Sequence, residues 1–431
     1  MATPTAHPNQ GLPPVASSLS TSTAAGTEET GTGGTQRGAL TTTPATTRRT
    51  RIVCISDTHN CTVKVPAGDV LIHSGDLTNT GSLKELQKQI EWLARQPHEV
   101  KIVVVGNHDT TVDAAFYAEH GAYFHHGQLQ DVQACRHLLL QPPSVPEHKQ
   151  QQQQQHKHQQ WIYLEHEARN VRLTSPNGPR TEFTVFGSPW TPQFESWAFQ
   201  YTRHQEDDGL AASRVWNGIP LDTDVLITHG PAFGHRDETV GREAAGCEEL
   251  RKAMWRVRPR LAVCGHIHEA RGVERVRWDL EDRGVRYKEE VGGIEAWVDP
   301  APEGDKVCLV DLTGKKQGRA LDNDGGKATM PERKHLESQV PRSEETGGDA
   351  TPVPAATAAA EPGIGTRGLG GDPASARSDQ AALAGRMGRR ETCIVNAAIQ
   401  ASGYPHVGPR RLNKAIVVDL DLPVWGAAEG A

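Results

Sequence analysis

Aromatic residues make up only 5% of this 431-residue chain, and hydrophobic residues of all kinds 36%. That is low for a chain packed along its whole length. Segments unable to bury enough apolar surface to offset their ordering entropy account for the deficit. Length alone would allow two or three domains, but this composition argues for one. Nowhere do eighteen apolar residues run together, which excludes a membrane-spanning helix. A basic surplus is also lacking: the formal net charge is −7, so no overall field recruits nucleic acid or anionic lipid. The seven cysteines are irregularly spaced and form no C-x-x-C pair. A disulfide framework and a structural zinc site are therefore disfavoured, and Cys54 and Cys264 are expected as small core residues in a reducing compartment. A G-x-x-x-x-G-K-[ST] loop is absent, and with it the usual phosphate cradle. The N-terminal residues show no charged stretch followed by an apolar one, so no secretory signal is expected. An intracellular, cytoplasmic location is expected. The Ser-, Thr- and Ala-rich start leaves organelle import as the alternative.

Against these absences stand five short apolar runs: Ile52–Ile55, Val70–Ile72, Ile102–Val105, Val225–Ile227 and Leu261–Cys264. Each has the length of a buried strand. The blocks that follow them are Asp57-Thr58-His59, Gly75-Asp76, Gly106-Asn107-His108-Asp109, His229-Gly230 and Gly265-His266-Ile267-His268. Open α/β sheets bind ligands beyond the carboxyl ends of their strands. Imidazole nitrogens with carboxylate and amide oxygens suit borderline cations such as Zn, Mn or Fe. Asp57 and His59 are two apart and share a face of an extended segment, as do His266 and His268. Gly75, Gly106, Gly230 and Gly265 adjoin candidate ligands and let the backbone come close. Seven candidate ligands exceed one tetrahedral site and match two ions sharing a bridging carboxylate.

The ordered set D-x-H, G-D, G-N-H-D, H-G and G-H-x-H resembles the calcineurin-like metallophosphoesterase superfamily. Within it, the chain is similar to the small metallophosphoesterase-domain-containing proteins of animals and their microbial relatives. The resemblance covers residues 50–290 and 391–423 with interruptions. It is carried by Arg51–His59, Pro66–Asp76, Lys101–Asp109, Phe186–Trp190, Asp224–Pro231 and Gly265–Glu269, with Ile394–Ala397 as a closing strand. It implies an α/β fold of two packed β-sheets flanked by helices, with metals at one edge. By the same resemblance Asp57, His59, Asp76 and His268 hold a first divalent ion. Asp76 then bridges to a second, completed by Asn107, His229 and His266; Mn, Fe or Zn are the ions expected. All seven positions are filled, including His266, which some animal members replace by glycine.

The implied activity is metal-dependent hydrolysis of a small phosphate ester. Cyclic nucleotides or similar diesters are the expected substrates, cleaved by attack of a metal-bridging hydroxide. His108 is expected to stabilise phosphoryl oxygens or donate a proton to the leaving oxygen, oriented by Asp109; alternatively it only positions Asn107. No polymeric nucleic acid and no membrane is expected as partner. Two other readings stay open. One is a phosphomonoesterase acting on proteins or small molecules, although Leu77-Thr-Asn-Thr-Gly81 follows Gly75-Asp76 where Ser/Thr phosphatases carry V-D-R-G and its clamping arginine. The other is a non-catalytic scaffold of the same fold, whose mark would be a decayed ligand set.

Residues 1–49 read as a disordered tail. Residues 50–423 read as one domain interrupted by low-complexity insertions at 141–160 and 316–390. Ser82-Leu-Lys-Glu85 has the pattern of a capping box; Leu83, Leu86, Ile90 and Leu93 then form one helical face, closed by Pro97. Further helices are expected over Val112–Glu119 and Gly246–Val257. In the latter Leu250, Met254 and Val257 point inward, and Arg251, Lys252, Arg256, Arg258 and Arg260 form a solvated basic face. Trp161–Leu164 and Phe183–Phe186 are expected as strands flanking a hairpin-like link at Asn177-Gly178, with Cys393–Ala398 and Ala415–Leu420 as late strands. Trp190, Phe194, Trp197 and Phe199 either pack on the domain body or wall a substrate pocket. His148, His156 and His158 are expected in a polar surface tract, His73 as an interior histidine, and His235 as a weaker catalytic candidate.

Overall fold

The computed structural model describes residues 46–143, 158–203, 212–281, 286–300, 307–316, 318–323, 388–401 and 411–426. Its first sheet has six strands, in the order β13 (Cys308–Asp311), β15 (Ile416–Pro423), β1 (Thr47–Ile55), β2 (Val70–Ser74), β3 (Val100–Val104) and β4 (Gln160–Tyr163). Its second has seven: β12 (Glu289–Trp297), β11 (Gly272–Trp278), β14 (Glu391–Asn396), β10 (Leu261–Cys264), β9 (Val225–Thr228), β6 (Glu182–Ser188) and β5 (Glu167–Arg172). A two-stranded pair, β7 (Thr191–Pro192) and β8 (Gln200–Tyr201), stands apart. The expected α/β class with two large sheets flanked by helices is what forms.

The middle strands run parallel: β1 with β2, β2 with β3, β6 with β9, β9 with β10 and β10 with β14. Parallel strands are covered on both faces, which is why they read as unbroken apolar runs. Alternate residues go to opposite layers. Ile52, Cys54, Ile72 and Ile102 meet Val185, Ile227, Val263 and Val395 between the sheets. On the outer side of the first sheet, Val53, Ile55 and Leu71 meet Leu86, Ile90 and Leu93 of α1 (Leu83–Ala94) and Leu139 of α3 (Val132–Leu140). On the outer side of the second, Leu226, Ala262 and Ile394 meet Trp216 of α4 (Ala212–Trp216) and Leu250, Met254 and Val257 of α5 (Glu248–Val257). Both sets of parallel strands end at one edge of this four-layer stack.

The capping box forms as expected, Ser82 accepting from the Glu85 N–H while the Glu85 side chain accepts from the Ser82 N–H. The helix expected at Val112 begins later, as α2 (Ala114–Phe124) behind a 3-10 turn, with Asp113 as its cap. The hairpin-like link joins β5 to β6, not β4 to β6; β4 pairs with β3 in the other sheet. Of the basic group around α5, Lys252 keeps the most exposed side chain, paired with Glu249; Arg256 and Arg258 are buried, and Arg251 and Arg260 pair with Glu289 and Asp224. All seven cysteines are free thiols, six of them buried. Most of the expected tail and insertions, including His148 and His156, lies outside the described residues; β1 already begins at Thr47 and pairs with β15. Among the described residues no helix is long and apolar enough to cross a membrane.

Candidate metal centre

Asp57, Asp76 and Asn107 follow β1, β2 and β3 of the first sheet, and His229 and His266 follow β9 and β10 of the second. The chain turns sharply at these points. Asp57, His59, Asp76 and His266 all have positive φ, at +51°, +41°, +53° and +68°. Left-handed backbone costs a non-glycine residue on the order of 1–2 kcal/mol, and such strain clusters at functional sites. Two glycines allow the loops to close on each other. A Cβ on Gly106 would meet the Asp76 carboxylate and the His229 ring, and one on Gly265 would meet Ser56 and Asp57.

Asp76 lies at the middle of the cluster. Its Oδ2 is 3.6 Å from His59 Nε2 and 3.3 Å from His229 Nε2. On the His59 side, His268 Nε2 lies 3.3 Å from His59 Nε2 and 3.4 Å from Asp57 Oδ1. On the other side, His229 Nε2 lies 2.9 Å from Asn107 Oδ1, and the His266 ring packs 5.0 Å from that of His229. Asp57, His59 and His268 form one group able to hold a cation, and Asp76, His229 and His266 another. A third group combines His59 and Asp76 with His108. The structure thus brings all seven expected ligands together.

The residues fit a divalent cation on their own chemistry. A carbonyl oxygen only accepts, so Nδ1–H of His59 donates to Thr78 at 3.1 Å and Nδ1–H of His229 to Ser74 at 3.0 Å. These bonds aim both Nε2 atoms inward, as outer partners of metal-bound imidazoles do. The neutral His59 ring then points its Nε2 lone pair at the Asp76 carboxylate and the His268 ring. A cation between them removes the repulsion. The charges agree. Burial opposes ionisation of Asp57, yet the His268 hydrogen bond and the charges of His268 and His229 hold its carboxyl down to about 2. Asp76, also against burial, is held well below the usual carboxylate range by His229 and His108. Burial pushes His59 and His266 down to about 3, so their rings are neutral donors. For His229 burial is outweighed by Asp76, which draws it up to about 9. Ionised Asp57 and Asp76 beside the neutral rings of His59 and His266 are donors for a borderline metal, and His229, protonated beside Asp76, would join them on giving up its Nε2 proton to the ion.

His108 borders this cluster. Its Nδ1–H donates to the Asn79 carbonyl oxygen at 2.9 Å and its backbone N–H to Asp76 Oδ1 at 2.9 Å. Asp109, expected to orient it, is engaged elsewhere. Its carboxylate accepts from the N–H groups of Leu77, Thr78 and Gly106 and from the Thr78 hydroxyl, which ties the loops after β2 and β3 together. Burial first, and Asp76 second, raise its carboxyl to about 7.

The aromatic cluster divides. Phe199 is buried, with the Trp190 ring 5.9 Å away. Phe194 and Trp197 instead line a cleft of about 580 Å³ that opens over His59, Asp76, Asn107 and His268. His235 lies outside it, between Glu274 at 2.7 Å and Glu289 at 2.9 Å. His73 is interior; its Nε2 meets the Thr58 hydroxyl at 2.9 Å, while Nδ1 has no partner. Asn396 was not singled out, although it too is a polar residue ending an apolar strand. Its amide donates to the carbonyls of Ile267, Arg236 and Gly265 and so fixes the loop that carries His266 and His268.

A family model described as calcineurin-like phosphoesterase matches residues 50–270. The human protein named metallophosphoesterase domain-containing protein 1 is 39% identical over 228 residues, 52% of this chain and 62% of its own length. A protein of Emericella nidulans named probable rhamnogalacturonate lyase C is 39% identical over 249 residues, 57% of this chain and 20% of its own length. The chain therefore spans less than two thirds of either relative. A purple acid phosphatase from yellow lupin seeds aligns at 14% identity and a TM-score of 0.27, over 56% of this chain and 41% of its own. With all five motif blocks inside the matched region and their side chains gathered at one strand edge, the chain belongs to the calcineurin-like phosphoesterase family.

Proposed function

We propose that the protein is a binuclear metal-dependent phosphodiesterase. Asp57, His59, Asp76 and His268 hold one ion; Asp76, Asn107, His229 and His266 hold the other. The observation that carries this reading is the place of Asp76 Oδ2, within 3.6 Å of His59 Nε2 and 3.3 Å of His229 Nε2, one from each half of the cluster. Divalent ions at such a site supply Lewis acidity to the phosphoryl group and lower the pKa of water. The chain's own residues do the rest. Asn107 and His108 face the cleft where a phosphoryl group would lie. Because His108 Nδ1–H is committed to Asn79, Nε2 is the atom that would pass a proton to the leaving oxygen.

A diester, cyclic nucleotides or similar compounds, is favoured over a monoester on two grounds. Arg203 lines the cleft, but its guanidinium donates to the carbonyls of Ala245 and Gly246, so it is held against the wall and not offered as a phosphoryl clamp. A diester bears one charge and a second organic substituent, which suits the exposed Phe194 ring on the cleft wall. The test is Asp76→Asn. It should remove both metals in elemental analysis and abolish turnover of diesters, whereas His229→Ala should deplete one ion. Two bound metals and near-normal turnover in Asp76→Asn would end the bridged reading. Paired assays with monoesters and diesters, with Mn, Fe or Zn added, decide the substrate class.

A further inference from the structure

Trp197 sits on the loop between β7 and β8, far in sequence from every candidate ligand. Its ring lies on that of His108, centroids 3.9 Å apart and planes 34° from parallel. The His59 ring meets that of His108 edge-to-face, at 4.8 Å and 89°. The His108 imidazole is thus held at Nδ1 by Asn79, by an edge-to-face contact with His59 and by the Trp197 ring stacked on its face. Trp197 is itself backed by Phe124 of α2 at 5.1 Å, and Phe124 by Phe116 at 5.7 Å. The loop is tied to the same helix by one carboxylate. Asp113 Oδ1 caps α2 by accepting from the Phe116 N–H at 3.0 Å, while Oδ2 accepts from the Phe199 N–H at 3.0 Å.

From this we infer that Trp197 is a positioning residue: it fixes the His108 ring so that Nε2 meets the leaving oxygen, and α2 holds Trp197 in place through Phe124 and Asp113. A ring pinned only at Nδ1 and by an edge-to-face contact can still swing about that bond. The stacked Trp197 ring removes the swing, and displacement of a reacting group by about 1 Å costs on the order of 10²-fold in rate. The alternatives are that Trp197 only packs the loop, or that it acts on substrate directly.

The inference rests on the proton-donor reading of His108, and a double-mutant cycle separates the two. His108→Ala, Trp197→Ala, the double variant and Trp197→Phe are assayed as full-length protein with Mn added. The probes are a cyclic nucleotide, whose leaving group is an alkoxide, and bis(nitrophenyl) phosphate, whose leaving group needs no proton. Metal content and thermal melting are followed in each. Trp197→Ala should lower kcat on the cyclic nucleotide about 10- to 100-fold, change KM little, spare the nitrophenyl diester and keep its metals. In the His108→Ala background it should cost nothing further, since residues acting as a unit are not additive. Trp197→Phe should recover most of the rate. Costs that add in the double variant, a change confined to KM, or a drop in melting temperature with unchanged turnover would each overturn the positioning role alone. A silent His108→Ala would overturn the proton-donor reading and the inference with it.

Discussion

The His108 ring bonds Asn79 through Nδ1, while its backbone N–H bonds the Asp76 carboxylate. The second bond does not depend on the side chain, so ring chemistry and metal binding can be separated. His108→Gln should keep both metals and lose about 10²–10⁴ in kcat on alkoxide leaving groups, the range of general acid catalysis. The loss should shrink with nitrophenolate. Metal depletion, restored by added metal equally for both substrates, would instead make His108 a ligand with His59 and Asp76. Asp109 behaves differently. Removing its carboxylate strands the N–H groups of Leu77, Thr78 and Gly106 in a buried site. Each such orphan costs roughly 1–3 kcal/mol, so Asp109→Ala should show mainly as a lower denaturant midpoint. Normal stability with a selective loss of kcat would restore the orienting role. The gathering of the candidate ligands at one edge was legible because their chemistry lies in residue type at a strand end. The role of Asp109 was not, because adjacency to His108 in sequence says nothing of where a carboxylate finds its donors. The left-handed backbone at Asp57, His59, Asp76 and His266 is likewise invisible in residues that ordinarily avoid it.

At the scale of elements, the connection from β9 to α5 borders the cleft and is pinned by His235. Both ring nitrogens lie on carboxylates, Glu274 and Glu289, so the ring donates twice and is an imidazolium. Burial lowers its pKa, but the bonds to Glu274 and Glu289 outweigh burial and raise it above its ordinary 6.5. Glu289 moves the other way: burial is outweighed by the bonds from His235 and Arg251, and its pKa falls below the ordinary 4.5. A raised histidine stabilises the fold fully below its unfolded value and loses that contribution as pH climbs through its folded value. A lowered glutamate contributes fully above its own unfolded value. The cluster is therefore strongest between about pH 4.5 and about pH 6.5. The stability gap between the parent protein and His235→Gln should be widest there and narrow towards alkaline pH, read as urea midpoints at about pH 5.5 and about pH 9. A gap that stays constant would mean the ring is neutral throughout. Legibility of elements followed burial in the same way. Strands covered on both faces, such as β2 and β3, announce themselves as apolar runs. Edge strands do not: Val171 is the one buried residue of β5, and none of the nine residues of β12 is buried. Arg256 and Arg258, at the end of α5, read as solvated but are buried, because a guanidinium can stack while its stem packs. The Arg258 guanidinium lies 5.5 Å above the Trp255 ring and donates to the Trp255 carbonyl.

For the whole molecule, the question is how much chain the catalytic edge requires. Residues 324–387 separate β13, in the first sheet, from β14, in the second, and supply no candidate ligand. The described residues on either side of that segment are hydrogen-bonded to one another. The N–H groups of Arg390 and Glu391 both donate to the Asp322 carbonyl at 3.1 Å, and the Asp322 N–H donates to the Glu391 carboxylate at 2.9 Å. Asn323 reaches across to the Arg258 carbonyl at 3.0 Å, which fixes the end of the crossing against α5. Ends already joined this closely can be bridged by a few residues, and shortening a long connection changes its closure entropy only slowly, about 0.6 kcal/mol per halving of length. On the proposed function, replacing residues 324–387 by a short Gly/Ser linker, with Asn323 and Gly388 kept, should therefore leave metal content and ester turnover as in the parent chain and the melting temperature the same or slightly higher. The same holds for starting the chain at Thr46, one residue before β1, but not at Thr50, which would remove the pairing of Thr47–Arg49 with Asp421–Pro423. Metal analysis, kcat/KM and thermal melts of the trimmed protein check this. If it folds and binds metal but loses more than about tenfold in turnover, roughly 1.4 kcal/mol of transition-state stabilisation, then the removed segment reaches the cleft and is part of the active site.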